Sequence, residues 1–262
     1  MPEVTTRYKP GTPCWVDLMA KDQQAALDFY RDLFGWQGEV GPPEFGGYAV
    51  CSLNGRPVAG IGPAMAAEGE PAPPTVWTTY LASDDADASL AAVAAAGGTT
   101  LMPVMDVGTT GRMLVAADPT GAVFGVWQPL EFIGAGVVNE PGALTWNDLH
   151  TSDVAAASAF YTAAFGVEVA PMEGMPGYHG FQVGGRPVGG VVGLENDPPG
   201  SPSHWQVCFA VDDTDSTADA LVKAGGTVLA PPFDTPVGRI ALLADPQGAV
   251  FAIITAAGAP AG

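Results

Sequence analysis

Two carboxylates, Asp17 and Asp148, sit at matching points of two apolar stretches, CWVDLMA and TWNDLHT. A carboxyl group enclosed by apolar neighbours is penalised in its charged form, so its pKa rises and it can serve as acid, base or hydrogen-bond anchor. The competing reading is structural, with each Asp accepting bonds from backbone or from an indole N–H. The three histidines, His150, His179 and His204, all fall in the C-terminal half, and His150 follows Asp148 by two residues. Imidazole titrates near neutrality and ligates metals, yet this spacing matches no compact ligand motif. Arg112 and Arg239 each follow a turn glycine in a chain with only 9 Lys and Arg. Each is a candidate to orient an anionic or carbonyl-bearing ligand, with an ion pair to a surface carboxylate as the alternative. No Ser–His–Asp or Cys–His constellation has supporting context. GRPVAG and GRPVGG are not phosphate loops, because no helix follows to present its amino terminus.

The elements that must position these residues occur twice. CWVDLMAKDQQAALDFYRDLFG, from Cys14, aligns with TWNDLHTSDVAAASAFYTAAFG, from Thr145. Trp15 falls on Trp146, Asp17 on Asp148, Asp22 on Asp153 and Phe34-Gly35 on Phe165-Gly166. GRPVAG matches GRPVGG, Asp84-Asp85 matches Asp212-Asp213, Gly111-Arg112 matches Gly238-Arg239, and DPTGAVF matches DPQGAVF. A repeat of this extent makes the chain a tandem duplication. Within each half the hydrophobic period switches between two and 3.6. Residues 13–19 read as a strand. Asp22 is placed as a helix N-cap, Ala26, Phe29, Tyr30 and Phe34 share one helical face, and Gly35 ends the helix. Strands near 47–53 and 57–62 flank the turn Asn54-Gly55. After a Pro-rich stretch at 63–74 the order recurs, with strand 75–82, helix 85–96 and strands near 99–104, 112–117 and 122–128. Each half reads as two βαβββ modules. The expected division is a domain at 1–128, a linker at 129–142 and a domain at 143–262.

Composition excludes whole classes. With 28 Asp and Glu the net charge is −19, which argues against nucleic acid and anionic membrane as partners, since both reward Lys and Arg clusters. Only 14% of residues are charged and 47% are hydrophobic, so the chain has a core to bury and is not an acidic disordered tail. No apolar run approaches the ~20 residues of a membrane-spanning helix. The amino terminus lacks the apolar stretch of a secretory signal. Three scattered cysteines, Cys14, Cys51 and Cys208, form no disulfide framework or thiolate site. The expectation is a cytoplasmic bacterial protein, monomer or homodimer, with a small molecule as its partner.

The Asp-led helix ending FYRDLFGW, matched by FYTAAFGV, the Asp-Asp opening of the later helix, the AGG turn and the GR…DPxGAxF hairpin occur in both halves in the same order. In these motifs the chain resembles the glyoxalase, bleomycin-resistance protein and extradiol dioxygenase (vicinal oxygen chelate) superfamily, over about residues 11–255. Within it, the likeness is to tandem two-domain glyoxalase-like proteins of actinobacteria. The resemblance implies an α+β fold of four βαβββ modules, forming two duplicated domains with curved eight-stranded sheets around cavities. Enzymes of the superfamily hold a divalent metal there on His and Glu. Carried over by spacing, the ligand positions are Trp15 and Trp146, Thr78 and Gln206, and Gly125 and Ala252. Indoles offer no lone pair, two positions lack a functional side chain, and Thr and Gln are weak neutral donors. The expectation is therefore no metal and no cofactor.

Strand alternation from those positions points Trp15, Asp17, Met19, Thr78, Tyr80, Val123 and Trp127 into the first cavity. It points Trp146, Asp148, His150, Gln206, Cys208 and Ile254 into the second, with His204 at its mouth. The leading function is metal-free binding of an aromatic or hydrophobic metabolite or natural product. Its ligand-binding residues would be Trp15, Tyr80, Trp127, Arg112, Trp146, Gln206, His204 and Arg239. The alternative is a glyoxalase-like lyase or isomerase in which Asp17 or Asp148, with His150, moves protons. A scaffold with vestigial cavities is the third reading. The cavities are expected to differ: His150 replaces Met19, Gln206 replaces Thr78 and Asn147 replaces Val16, so the second gains polar groups, while the first keeps Trp15, Trp77, Tyr80 and Trp127.

Overall fold

Each half of the chain begins with a strand and a capped helix. The computed structural model describes residues 3–65 and 74–258, so most of the Pro-rich stretch at 63–74 lies outside the described residues. The first half contains β1 (Pro13–Ala20), α1 (Gln23–Phe34), β2 (Ala49–Leu53), β3 (Arg56–Pro63), β4 (Trp77–Ala82), α2 (Ala86–Ala95), β5 (Thr99–Val107), β6 (Gly111–Ala117) and β7 (Val123–Pro129). The second contains β8 (Leu144–Thr151), α3 (Val154–Phe165), β9 (Glu168–Pro171), β10 (His179–Val183), β11 (Arg186–Gly193), β12 (His204–Ala210), α4 (Thr214–Lys223), β13 (Thr227–Thr235), β14 (Gly238–Ala244) and β15 (Val250–Ala256). Asp22, Asp85, Asp153 and Asp213 cap the four helices by accepting a backbone N–H three residues on. Gly35 and Gly166 stop α1 and α3 in the left-handed region, at φ 76° and 67°.

The strands form two curved mixed sheets, in the orders β2-β3-β1-β4-β7-β6-β5 and β13-β14-β15-β12-β8-β11-β10-β9. The fold is α+β and duplicated, as expected, but the first sheet has seven strands rather than eight. Its counterpart of β9 shrinks to a single bridge between Gln37 and Ser52. The reason is local: Gly38, Gly41, Pro42 and Pro43 follow, and proline has no N–H to extend a ladder.

The helix-bearing faces of the two sheets pack against each other, and the core is shared. One cluster joins Val16, Leu18, Tyr30, Phe34 and Trp36 of the first half to Phe209, Leu221, Leu243 and Phe251 of the second. A second joins Leu81, Leu114, Phe124 and Val126 to Leu149, Phe160, Tyr161 and Phe181. The repeated motifs lock this arrangement. Asp245 of DPQG accepts the N–H groups of Gln247 and Ala249 on one oxygen, and the Tyr30 hydroxyl of the other half on the second, at 3.1 Å. Trp77 donates its indole N–H to Tyr30, and Trp205 donates to Tyr161. Trp77 therefore belongs to the shared core and not to the first cavity. Asn147 likewise faces the other sheet and accepts from Thr79 Oγ1 at 2.8 Å. It adds nothing to the second cavity, because its odd position in β8 points opposite to Trp146, Asp148 and His150.

Candidate functional site

The concave faces, turned away from the shared core, hold the two candidate sites. On the first, Trp15 donates its indole N–H to the Tyr48 hydroxyl at 2.8 Å, and Tyr48 donates to Asp17 Oδ2 at 3.2 Å. Tyr80 donates to the same oxygen at 3.0 Å, while Oδ1 is buried without a partner. Asp17 is 3% exposed, and burial pushes its pKa up to about 7 against the pull of the Tyr80, Tyr48 and Thr78 hydrogen bonds. The face is filled. Phe132, from the segment joining the two sheets, meets the Trp15 ring edge-on at 4.9 Å and Trp127 at 5.9 Å. Its carbonyl accepts the Trp127 indole N–H, and the next turn is pinned by Tyr8 to Ala135 O and by Ala135 N to Cys14 O. Met19 and Thr78 lie on this face only partly buried, whereas Val123 is exposed at the end of its strand.

The second concave face repeats the network with fewer rings. Trp146 donates its indole N–H to the Tyr178 hydroxyl at 2.7 Å and approaches Asp148 Oδ1 at 3.1 Å, and Tyr178 donates to that same oxygen. Burial raises the Asp148 pKa, opposed by Tyr178, by the charge of His150 and by Trp146. Cys208 stands where Tyr80 stands in the first half, and Ile254 stands for Trp127. Trp146, Asp148, His150, Gln206 and Ile254 are all half-buried, and among the described residues no aromatic crosses this face as Phe132 crosses the first.

Tyr48 and Tyr178 were not anticipated as site residues. A signal was present, since each precedes the GR of its GRPVxG motif by the same seven positions. The last glycine of that motif explains the pairing: a side chain on Gly60 or Gly190 would collide with the Tyr48 or Tyr178 ring. At the rim of the second face, β8 and β12 run antiparallel and set His204 directly opposite His150. Their rings stack at 4.9 Å, and His150 Nδ1 lies 2.9 Å from Asp197 Oδ2. Asp197 was also missed, because it reaches the rim only through the turn after β11. His179 lies away from this cluster, on β10 opposite Val191, with a buried Nδ1 that has no partner.

The two arginines are corrected. Arg112 pairs with Gln128 across β6 and β7, the face opposite to Trp127, and its guanidinium is held by Asp87 and Asp106. Arg239, opposite Thr255, is held in the same way by Asp215 and Asp234. Strand parity sends both to the helix-bearing side, out of reach of either concave face.

The ligand positions of the metal-dependent enzymes do not fit a metal here. Trp15 and Trp146 present indole N–H groups that are already donating to tyrosines. Gly125 lies under the Tyr80 ring, so no longer side chain fits there without displacing it. Thr78, Gln206 and Ala252 complete a set with no carboxylate or imidazole.

Two curved sheets of repeated modules, each concave face built on a strand carrying Trp-x-Asp, define the class. The Glyoxalase/Bleomycin resistance protein/Dioxygenase superfamily model matches residues 14–126 and 143–253, and the chain belongs to that family. It is 46% identical over 254 residues to CFP32 of Mycobacterium tuberculosis, whose name assigns it provisionally to the glyoxylases, covering 95% of this chain and 96% of that one. It is 41% identical to the anthracycline biosynthesis protein DnrV of Streptomyces peucetius, covering 95% and 94%. Among solved structures, the Mn(II)-bound glyoxalase from Novosphingobium aromaticivorans matches with a TM-score of 0.65 at 19% identity, over 94% of this chain and 82% of that one. The 2,3-dioxygenase LapB from Pseudomonas sp. KL28 matches with 0.65 at 15%, over 98% and 94%. At such identities these two show the fold alone. Among the described residues no helix is long and apolar enough to cross a membrane.

Proposed function

We propose that the second concave face is a binding cleft for an aromatic or hydrophobic metabolite or natural product, held without a metal at the ligand positions of the family's enzymes. The carrying observation is the half-buried Trp146 indole beside the Tyr178–Asp148 pair, on a face that the first half closes with Phe132 and the second leaves open. An apolar wall with a few fixed polar groups suits a flat organic ligand, stacked on the indole and hydrogen-bonded at one edge. The Streptomyces relative is named for anthracycline biosynthesis, and anthracyclines are flat fused-ring natural products, which supports this reading. On the first face Trp15, Tyr80 and Trp127 act as packing. On this reading the chain divides into domains at 1–128 and 143–262 joined by 129–142, and works in the cytoplasm as a monomer or homodimer, with no nucleic-acid or membrane partner.

Titration with a panel of fused-ring aromatics, followed by tryptophan fluorescence and native mass, tests the reading. One equivalent bound by the parent chain and lost in Trp146→Ala is the expected result. Binding that survives Trp146→Ala, or no binding across the panel, refutes it. The second reading, an acid–base lyase or isomerase, rests on the half-buried Asp148 carboxyl, whose pKa is raised, with His150 two residues along the same face. Deuterium entering a carbonyl ligand from solvent, and ceasing in Asp148→Asn, separates turnover from binding alone.

A further inference from the structure

We propose that His150, His204 and Asp197 form a binding site for a divalent transition-metal ion such as Zn²⁺ or Ni²⁺, at the rim of the second concave face. One ligand atom from each of the three residues lies within 4.8 Å of the other two. A tetrahedral ion bound at about 2.0–2.1 Å sets its ligand atoms roughly 3.3 Å apart. Closing the difference takes small rotations of side chains that are already stacked and paired.

The two imidazoles are prepared in different ways. His204 Nδ1 lies 2.9 Å from the Pro202 carbonyl oxygen, which only accepts, so Nδ1 carries the proton and Nε2 keeps its lone pair. His150 Nδ1 lies 2.9 Å from Asp197 Oδ2, near the ligand spacing of such an ion, so an ion bound by both takes the place of the proton between them. At His204, a ring nitrogen held by a carbonyl with the other left basic is the outer-shell arrangement that orients metal-binding histidines. The side chains of His150 and Asp197 are only 19% and 11% exposed, so the carboxylate acts through little intervening water. A net charge of −19 favours cations around the whole molecule. Imidazole with carboxylate suits zinc or nickel rather than calcium or magnesium, which prefer oxygen throughout.

The site is separate from the family's metal position. His150 lies four residues beyond Trp146 on the same strand face, on the order of 13 Å away at ~3.3 Å per residue. The first half has Met19 and Val76 in place of the two histidines, so the site belongs to the second half alone. Three protein ligands leave one coordination position for water or an oxygen donor. The site stands independently of the proposed ligand, because its test contains only the ion.

The experiment uses untagged, metal-stripped full-length chain, with Zn²⁺ and Ni²⁺ followed by calorimetry and elemental analysis after dialysis. One equivalent is expected, weakened at least about ten-fold in His150→Ala, in His204→Ala and in Asp197→Asn, with His179→Ala unchanged. Replacement by Co²⁺ should produce the visible ligand-field absorption of a tetrahedral centre, absent in His150→Ala. The proposal is overturned by no stoichiometric uptake, by uptake that survives both histidine changes, or by uptake lost equally in His179→Ala. Circular dichroism on each variant separates loss of site from loss of fold.

Discussion

Asp17 and Asp148 occupy matching positions of the repeat and share one tyrosine partner, Tyr48 or Tyr178, yet differ in enclosure. Asp17 accepts from two phenols, and a protonated Asp17 is the form that its surroundings favour at mildly acidic pH. The sign of the pH effect follows. Below 3.8 the group is protonated in both folded and unfolded chains, and from there to about 7 only the unfolded chain ionises. Stability is therefore fully present at low pH and falls as pH rises through that window, by on the order of 4 kcal/mol at ~1.4 kcal/mol per unit. Asp17→Asn should flatten this slope, and urea unfolding at pH 5 and pH 8 reads it; parallel slopes in both proteins would contradict it. At the second face, His150→Ala should weaken any ligand binding or turnover far more than Met19→Ala. Equal effects would make the difference between the two faces drift in a duplicated scaffold.

At the level of elements, the segment between β7 and β8 decides which face is open. Phe132 fills the space between Trp15 and Trp127, so the strap completes a small aromatic core. Phe132→Ala should cost about 1–3 kcal/mol and admit acrylamide to Trp15 and Trp127, raising fluorescence quenching; unchanged quenching would mean the strap shields nothing. The exposed edges follow another rule. At one edge of each sheet, β5 carries Pro103 and β13 carries Pro231 and Pro232, so neither of these two edge strands offers a full ladder of N–H groups to another chain. The helices needed no tertiary help to locate: an Asp cap, an apolar face and a terminal glycine are all local signals.

For the molecule as a whole, the two halves are parts of one core. α1 packs its Tyr30, Phe34 side into β12 and β15 of the opposite sheet, where the Tyr30 hydroxyl meets Asp245. Tyr30→Phe leaves the Asp245 oxygen without that donor, and a loss of about 1–3 kcal/mol is expected in thermal or urea unfolding. The full chain should unfold in a single transition. Residues 1–142 alone would expose Phe34 and Trp36 to water and should fail to give a native near-UV circular dichroism spectrum; a well-folded isolated half would refute the shared core.

Chain-local patterns determined much of this protein. Alternation, capping residues and the duplication register gave the element order and the tandem organisation, because each depends on residues close together or on direct comparison of two copies, while the six positions without metal ligands were located by the family resemblance. The inward set from Trp15 to Asp17 and from Trp146 to His150 was legible for the same reason. Only the tertiary structure decided what spans long separations. It turned Asn147 and Trp77 to the shared core, sent Arg112 and Arg239 to outer ion pairs, laid Phe132 across one face, and supplied Tyr48, Tyr178 and Asp197. Sequence spacing separates His150 from His204 by more than fifty positions, and antiparallel register closes that distance to one strand spacing. Register and face-to-face packing are set by burying two sheets against each other, a balance taken over the whole chain that no local window contains.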